Sequence, residues 1–129
     1  MHEASIAQSI VNAVLQNAQK NNAVRVENVE LEVGELTFLN IEQVLFWVQV
    51  GFESTIAEGA KIEIRHVDVK ISCPQCHYTG PVRMKDQPYS HYQVPVIACS
   101  HCGNPNVEVI EGKDVLIRRL QIVRPNEED

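Results

Sequence analysis

AVRVENVELEVG, residues 23–34, changes phase in mid-run. Val24 and Val26 alternate on one side, and Val29, Leu31 and Val33 then alternate in the opposite register. Alternation at period two marks a half-buried strand, and the slip of one residue requires a bulge near Glu27-Asn28. Gly34 ends the run. Upstream, Ile6, Ala7, Ile10, Val11, Val14, Leu15 and Ala18 recur at helical spacing, which predicts an amphipathic helix over about 4 to 21 that stops at Asn21-Asn22. Downstream, NIEQVLFWVQVGFEST reads as a second helix capped by Asn40 with Gln43 three residues on. Ile41, Val44, Leu45, Val48 and Phe52 form its inward stripe, and Trp47 is assigned to the core or a groove.

AKIEIRHVDVKIS follows as one strand with a phase change near His66-Val67, and NVEVIEGKDVLIRRLQIV reads as two strand pieces around a turn at Gly112-Lys113. The strand–helix–strand stretch from about 24 to 71 favours a right-handed crossover. The expected fold is α+β: two helices packed on a small mixed β-sheet, built from 1–71 plus 107–129, with 72–106 as an insert projecting from the last strands. The insert holds all four cysteines and five of the six prolines. It is too short for a hydrophobic core of its own and needs a staple.

That staple is in CPQC and CSHC. Cys73 and Cys76 are spaced C-x2-C, as are Cys99 and Cys102, with 22 residues between the pairs. Each short loop offers two thiolates, and two loops close a tetrahedral four-cysteine zinc site with no position open for water. Gly103 can relieve a positive φ after Cys102. Rubredoxin-like iron fits the same thiolates. CPQCH also matches the c-type haem string, and disulfides are a further pairing. With a charged N-terminus unlike a signal peptide and no apolar run long enough to span a membrane, the expected address is the cytoplasm, where such cysteines serve metals rather than disulfides.

A second metal reading begins at Met1-His2-Glu3. The His2 Nδ1 and its own backbone nitrogen can close a six-membered chelate ring, and the Met1 amine or the Glu3 amide adds a five-membered one. Planar nitrogen donors suit nickel(II) or copper(II) and fit zinc badly. Amides at a helix start have no intrahelical acceptor, so ligation breaks no helix bond.

The MHEAS start, the EVGEL segment of residues 32–36 and the late C-x2-C…C-x2-C insert together resemble the HypA family of nickel metallochaperones. The resemblance covers nearly the whole chain. It implies a carrier of Ni(II) as cargo rather than an enzyme, serving the maturation of nickel-iron hydrogenase and, in some relatives, urease. It also implies nickel binding by His2 with the Glu3 backbone, structural zinc on Cys73, Cys76, Cys99 and Cys102, and as partners a HypB-type GTPase and the hydrogenase large-subunit precursor; the Met1 amine stays the alternative nitrogen to the Glu3 amide. A monomer or weak homodimer is expected. The long gap between the cysteine pairs is similar to the extended inserts of some archaeal members, which makes His91 in PYSHYQ a candidate further nickel ligand. His77 and His101 flank the knuckles and are candidates for coupling pH to the zinc site, whereas His66 is read as structural.

Two other classes fit less well. A zinc-ribbon nucleic-acid module would carry cations around the ribbon, but Cys73–Cys102 holds only Arg83 and Lys85 in a chain of net charge -6. An enzyme would need a nucleophile or base constellation. There is no P-loop, G-x-S-x-G or H-E-x-x-H, and Glu35 and Glu42 read as isolated, solvated acids.

Overall fold

A computed structural model describes residues 3–82 and 97–127. Helix α1 runs Glu3–Lys20, and strand β1 follows at Arg25–Gly34. A 3-10 turn at Glu35–Thr37 leads to helix α2, Ile41–Phe52. Strands β2 (Lys61–Val67), β3 (Lys70–Ser72), β4 (Thr79–Pro81), β5 (Glu108–Glu111) and β6 (Val115–Val123) complete the regular structure. Among the described residues, no helix is long and apolar enough to cross a membrane.

Both helices form where their periodicity places them. The buried stripe of α1 is Ala7, Ile10, Val11, Val14 and Ala18. Asn40 caps α2, its Oδ1 accepting the Gln43 N–H at 3.2 Å, which satisfies one of the donors a helix start leaves over. Val44, Val48 and Phe52 of α2 are buried, with Ile41 and Leu45 half-buried. Trp47 is not in the core: it is 43% exposed, on the flank of α2.

The strands make two sheets instead of one. β2-β1-β6 is mixed, β1 running parallel to β2 and antiparallel to β6. The expected bulge is there, a register shift between Val26 and Asn28 that lets Val26 and Val29 both face the helices. The second sheet, β4-β3-β5, is antiparallel. The run expected as one strand from Ala60 is therefore broken at Asp68-Val69, and its halves join different sheets. The two sheets have separate cores. One gathers α1, α2, β1 and Ala57; the other gathers Val69, Ile71, Cys73, Val82 and Cys99, with Leu36 and Val109 packed against it.

The two bodies meet at a crossing of backbones. Gly34 and Gly112 approach so closely that a Cβ on Gly34 would stand 2.3 Å from the Gly112 carbonyl. Gly112 has φ +88 and lies against Asp68 O and Val69 Cα, so no side chain fits there without strain. The Gly34 N–H donates to Asp114 O at 2.9 Å, and the Leu36 N–H to Gly112 O at 2.8 Å. Glu35, expected as a solvated acid, accepts the Val69 N–H at 3.1 Å.

Candidate metal centre

Two loops with the same backbone plan bring the cysteines together. In the first, the Cys73 N–H donates to Tyr78 O at 2.8 Å and the His77 N–H to Cys73 O at 3.0 Å. In the second, the Cys99 N–H donates to Asn104 O and the Gly103 N–H to Cys99 O, both at 2.9 Å. Each loop turns back through a left-handed residue placed just after its second cysteine, Gly103 at φ +80 and His77 at φ +65. The glycine was anticipated. Histidine adopts this conformation more readily than most side chains, which is why the first loop closes without glycine.

The four Sγ atoms lie within 4.8 Å of one another. Cys73 and Cys102 are 3.7 Å apart and Cys76 and Cys99 3.6 Å. Four sulfurs placed about 2.3 Å from one ion at tetrahedral angles stand about 3.8 Å apart. The cage thus has the dimensions of a tetrathiolate metal site, a donor set and geometry that fit zinc or iron. Cys73 and Cys99 are buried, Cys76 is half-buried and Cys102 faces outward.

The protein alone gives the sulfurs unequal affinity for protons. Cys76 N–H, with Gln75 N–H, outweighs burial and lowers the Cys73 thiol to about 6. At Cys99 burial pushes upward, but the N–H groups of Cys102 and His101 prevail and its pKa also falls. Cys76 goes the other way. Its contact with Tyr78 N–H favours the thiolate, but burial and the neighbouring thiols push it up to about 12. Cys102 is likewise raised: Asn104 N–H and Cys76 favour its thiolate, but burial with Cys73 and Cys99 outweighs them. Each close sulfur pair therefore joins one thiolate-prone member to one proton-holding member, and a cation in the cage displaces the held protons.

Asn104 was not singled out from the sequence. Its side-chain nitrogen points to Cys73 Sγ at 3.8 Å while its carbonyl holds the Cys99 N–H, so one residue ties the two loops together. The signal available was its place two residues after Cys102, where a loop must turn back. His101 contributes its backbone N–H to Cys99 Sγ at 3.3 Å, and its ring stacks on Tyr78. His77 and His66 are exposed. Glu3 opens α1 and its Oε2 accepts the Asn40 N–H at 3.1 Å, joining the starts of the two helices. Met1, His2 and His91 lie outside the described residues.

Fold and cage together define a small α+β metal protein, a two-helix body carrying a tetrathiolate module. The chain belongs to the HypA family: the family model described as hydrogenase/urease nickel incorporation, metallochaperone, matches residues 1–122. The hydrogenase maturation factor HypA of Methanobrevibacter smithii is 39% identical over 128 residues, covering 99% of this chain and 100% of that one. Its counterpart in Methanothermobacter thermautotrophicus is 40% identical over 122 residues, covering 95% and 97%. Among solved structures, the Ni metallochaperone HypA from Helicobacter pylori superposes with a TM-score of 0.69 at 22% identity, covering 96% of this chain and 99% of that one, a likeness of fold. The family is one of metallochaperones and maturation factors, not of catalysts.

Proposed function

We propose that this chain binds nickel(II) at its N-terminus and delivers it during maturation of nickel-iron hydrogenase, while Cys73, Cys76, Cys99 and Cys102 hold a structural zinc. The body of 1–71 plus 107–129 carries the cargo site, and the insert of 72–106 carries the zinc. The observation that carries this reading is the family match, which begins at Met1 and so includes the MHE start. The position of Glu3 supports it. Because α1 begins there and the Glu3 carboxylate accepts the Asn40 N–H, the first amides of the helix have no intrahelical acceptor and stand ready as nitrogen ligands. Glu3 then contributes its backbone, with the carboxylate orienting the chain start. His2 supplies the imidazole, and the last nitrogen comes from the Met1 amine or, in its place, from His91. Zinc closed in four thiolates keeps no site for substrate, so its role is to organise the module.

In this reading the protein works in the cytoplasm. It receives or passes nickel with a HypB-type GTPase and contacts the hydrogenase large-subunit precursor. Service to other nickel enzymes, as the family description of urease allows, belongs to the same proposal.

The test is nickel titration of untagged protein, followed by d–d absorption with zinc assayed separately. His2→Ala is expected to abolish the planar nickel spectrum and leave zinc content and thermal stability nearly unchanged, since a terminal side chain contributes little to the core. Residues added before Met1 convert the amine to an amide; weakened binding then identifies Met1 as a ligand, and retained binding favours the His2 and Glu3 amides with His91. A His2→Ala protein that binds nickel as the parent does, with the same spectrum, removes the chemical basis of the proposal.

A further inference from the structure

The outer side of α2 carries an apolar ridge among the exposed Glu42, Gln43 and Gln49. Val44, Val48 and Phe52 mark its inward side, and Phe46 and Val50, each two positions and about 200° further on, point directly away from the core. Phe46 is 56% exposed, Trp47 43% and Val50 39%. The Phe46 and Trp47 rings meet edge to face with centroids 5.1 Å apart, and Val50 lies one turn on from Phe46 on the same side. α1, which packs beside α2, shows what an ordinary outer face looks like: Gln8, Ser9, Asn12, Gln16 and Asn17 are among its exposed residues. Single exposed apolar residues need no explanation, whereas a ridge that joins two aromatics and a valine does.

Charge identifies the occupant. Residues 3–20 and 35–60, which form the helical layer and its loops, contain Glu3, Glu35, Glu42, Glu53 and Glu58 but only one cation, Lys20. The other Lys and Arg residues of the sequence lie elsewhere, with Arg25, Lys61, Arg65, Arg118 and Arg119 on the three strands of the first sheet. Glu42 and Glu53 stand at the two ends of the apolar ridge, a turn beyond Phe46 and Val50 respectively. A second copy is a poor occupant: two-fold pairing of α2 on itself brings Glu42 towards Glu53 of the other copy, like charge against like. An anionic membrane surface is repelled by the same carboxylates.

We infer that the Phe46–Trp47–Val50 ridge docks an amphipathic helix of another protein whose apolar stripe is flanked by lysine or arginine. Apolar residues of that helix at i, i+3 and i+4 cover the ridge, and its cations meet Glu42 and Glu53. The aromatic pair forms the centre of such an interface, where binding energy concentrates, and the carboxylates form its rim, where they govern encounter rate and partner choice. The inference is independent of the nickel reading, and it requires only that the two helices keep their outer faces.

Trp47 is the only tryptophan in the chain, so its emission reports on this face alone. The probes are a synthetic helical peptide with a leucine stripe and lysine flanks, the same peptide with glutamate flanks, and the protein itself at rising concentration. The lysine peptide is expected to move Trp47 emission to the blue and shield it from acrylamide, with affinity that weakens as salt rises. Phe46→Gln combined with Val50→Gln is expected to weaken it at least about tenfold. Far-UV circular dichroism and metal content confirm that this variant is folded. Equal binding of the glutamate peptide overturns the inference, as does no response to the lysine peptide at millimolar concentration. Undiminished binding by the double variant also overturns it. A blue shift on concentrating the protein alone assigns the face to a second copy instead.

Discussion

Replacing Gly34 with alanine tests whether the crossing with Gly112 is the joint that holds the two cores together. The added Cβ would stand 2.3 Å from both C and O of Gly112 and 2.7 Å from the Lys113 nitrogen. All three are backbone atoms, so no rotamer change relieves the clash. Restoring an ordinary contact of about 3.5 Å requires the turn to retreat by more than about 1 Å. That movement breaks the Gly34 N–H bond to Asp114 O and the Leu36 N–H bond to Gly112 O. Two such bonds are worth about 1 kcal/mol each, and overpacking adds about 1–3 kcal/mol. Alanine returns less than about 1 kcal/mol by restricting the unfolded chain. The net loss is about 3 kcal/mol, or roughly 10 °C in Tm for a chain of this size. Gly59→Ala is the control. Gly59 has φ +79 but nothing within 4 Å of its Cβ position, so it carries only the left-handed penalty of about 1–2 kcal/mol. Urea unfolding followed by circular dichroism gives both numbers, and hydrogen exchange at the Leu36 and Val69 amides localises the damage. A Gly34→Ala protein more stable than Gly59→Ala, or one whose Leu36 amide stays protected, refutes the joint.

Cys76→Ala is expected to abolish tight metal binding and deprotect the β3–β5 amides while α1 and α2 stay protected, because the first core contains no part of the cage; metal analysis with hydrogen exchange checks this, and loss of both bodies together counts against it. The acid dependence has a definite sign. Cys73 is lowered from 9.0 to about 6, so the stabilisation from its thiolate is complete above 9.0, declines below it and is lost as pH falls through about 6. Metal affinity, measured by chelator competition from about pH 5 to about 8, should therefore fall by one further proton per ion below about 6; a constant slope through that range contradicts the assignment. Affinity for DNA or RNA at physiological salt should be negligible in a binding titration, and sequence-specific binding tighter than micromolar would favour the ribbon-type reading.

What could be read in the sequence was what local chemistry determines. The stripe of α1, the Asn40 cap, the bulge after Val26 and both C-x2-C loops depend on residues within a few positions of one another. What could not be read depends on distant backbone. The phase change near His66-Val67 in AKIEIRHVDVKIS falls just before the break at Asp68-Val69 but does not say that the chain changes sheet there; that depends on Gly112, which lies against Asp68 and Val69 from 43 positions away. Glu35 looked solvated for the same reason, its acceptor role arising only when Val69 arrives beside it. Trp47 was assigned to the core or a groove, but its phase places it about 100° from Val48, on the flank of the inward stripe, where it is exposed. At the N-terminus the order is reversed: the reading of His2 rests on sequence and family alone, while Glu3 gained a partner in Asn40 that no spacing announced.

EVGEL, a segment that marked the family resemblance, can now be given a reason at each position. Glu32 lies between Arg65 of β2 at 3.6 Å and Arg118 of β6 at 3.7 Å, an exposed arrangement of modest energy that binds the central strand to both neighbours. Val33 is buried. Gly34 admits the Gly112 backbone, Glu35 holds the Val69 N–H, and Leu36 packs into the core of the cysteine module. Thr37, buried, then turns the chain by donating its hydroxyl to Gly34 O at 2.7 Å, and three residues later Asn40 meets Glu3. The segment therefore leaves the first core, fastens the second, and returns to the start of α1. A glycine, an acid and an apolar residue in that order are what this path requires: room for a crossing backbone, an acceptor for an amide that has just left a sheet, and an anchor for a core too small to hold itself. The constraint acts between two bodies, so it persists whatever ion the cage holds.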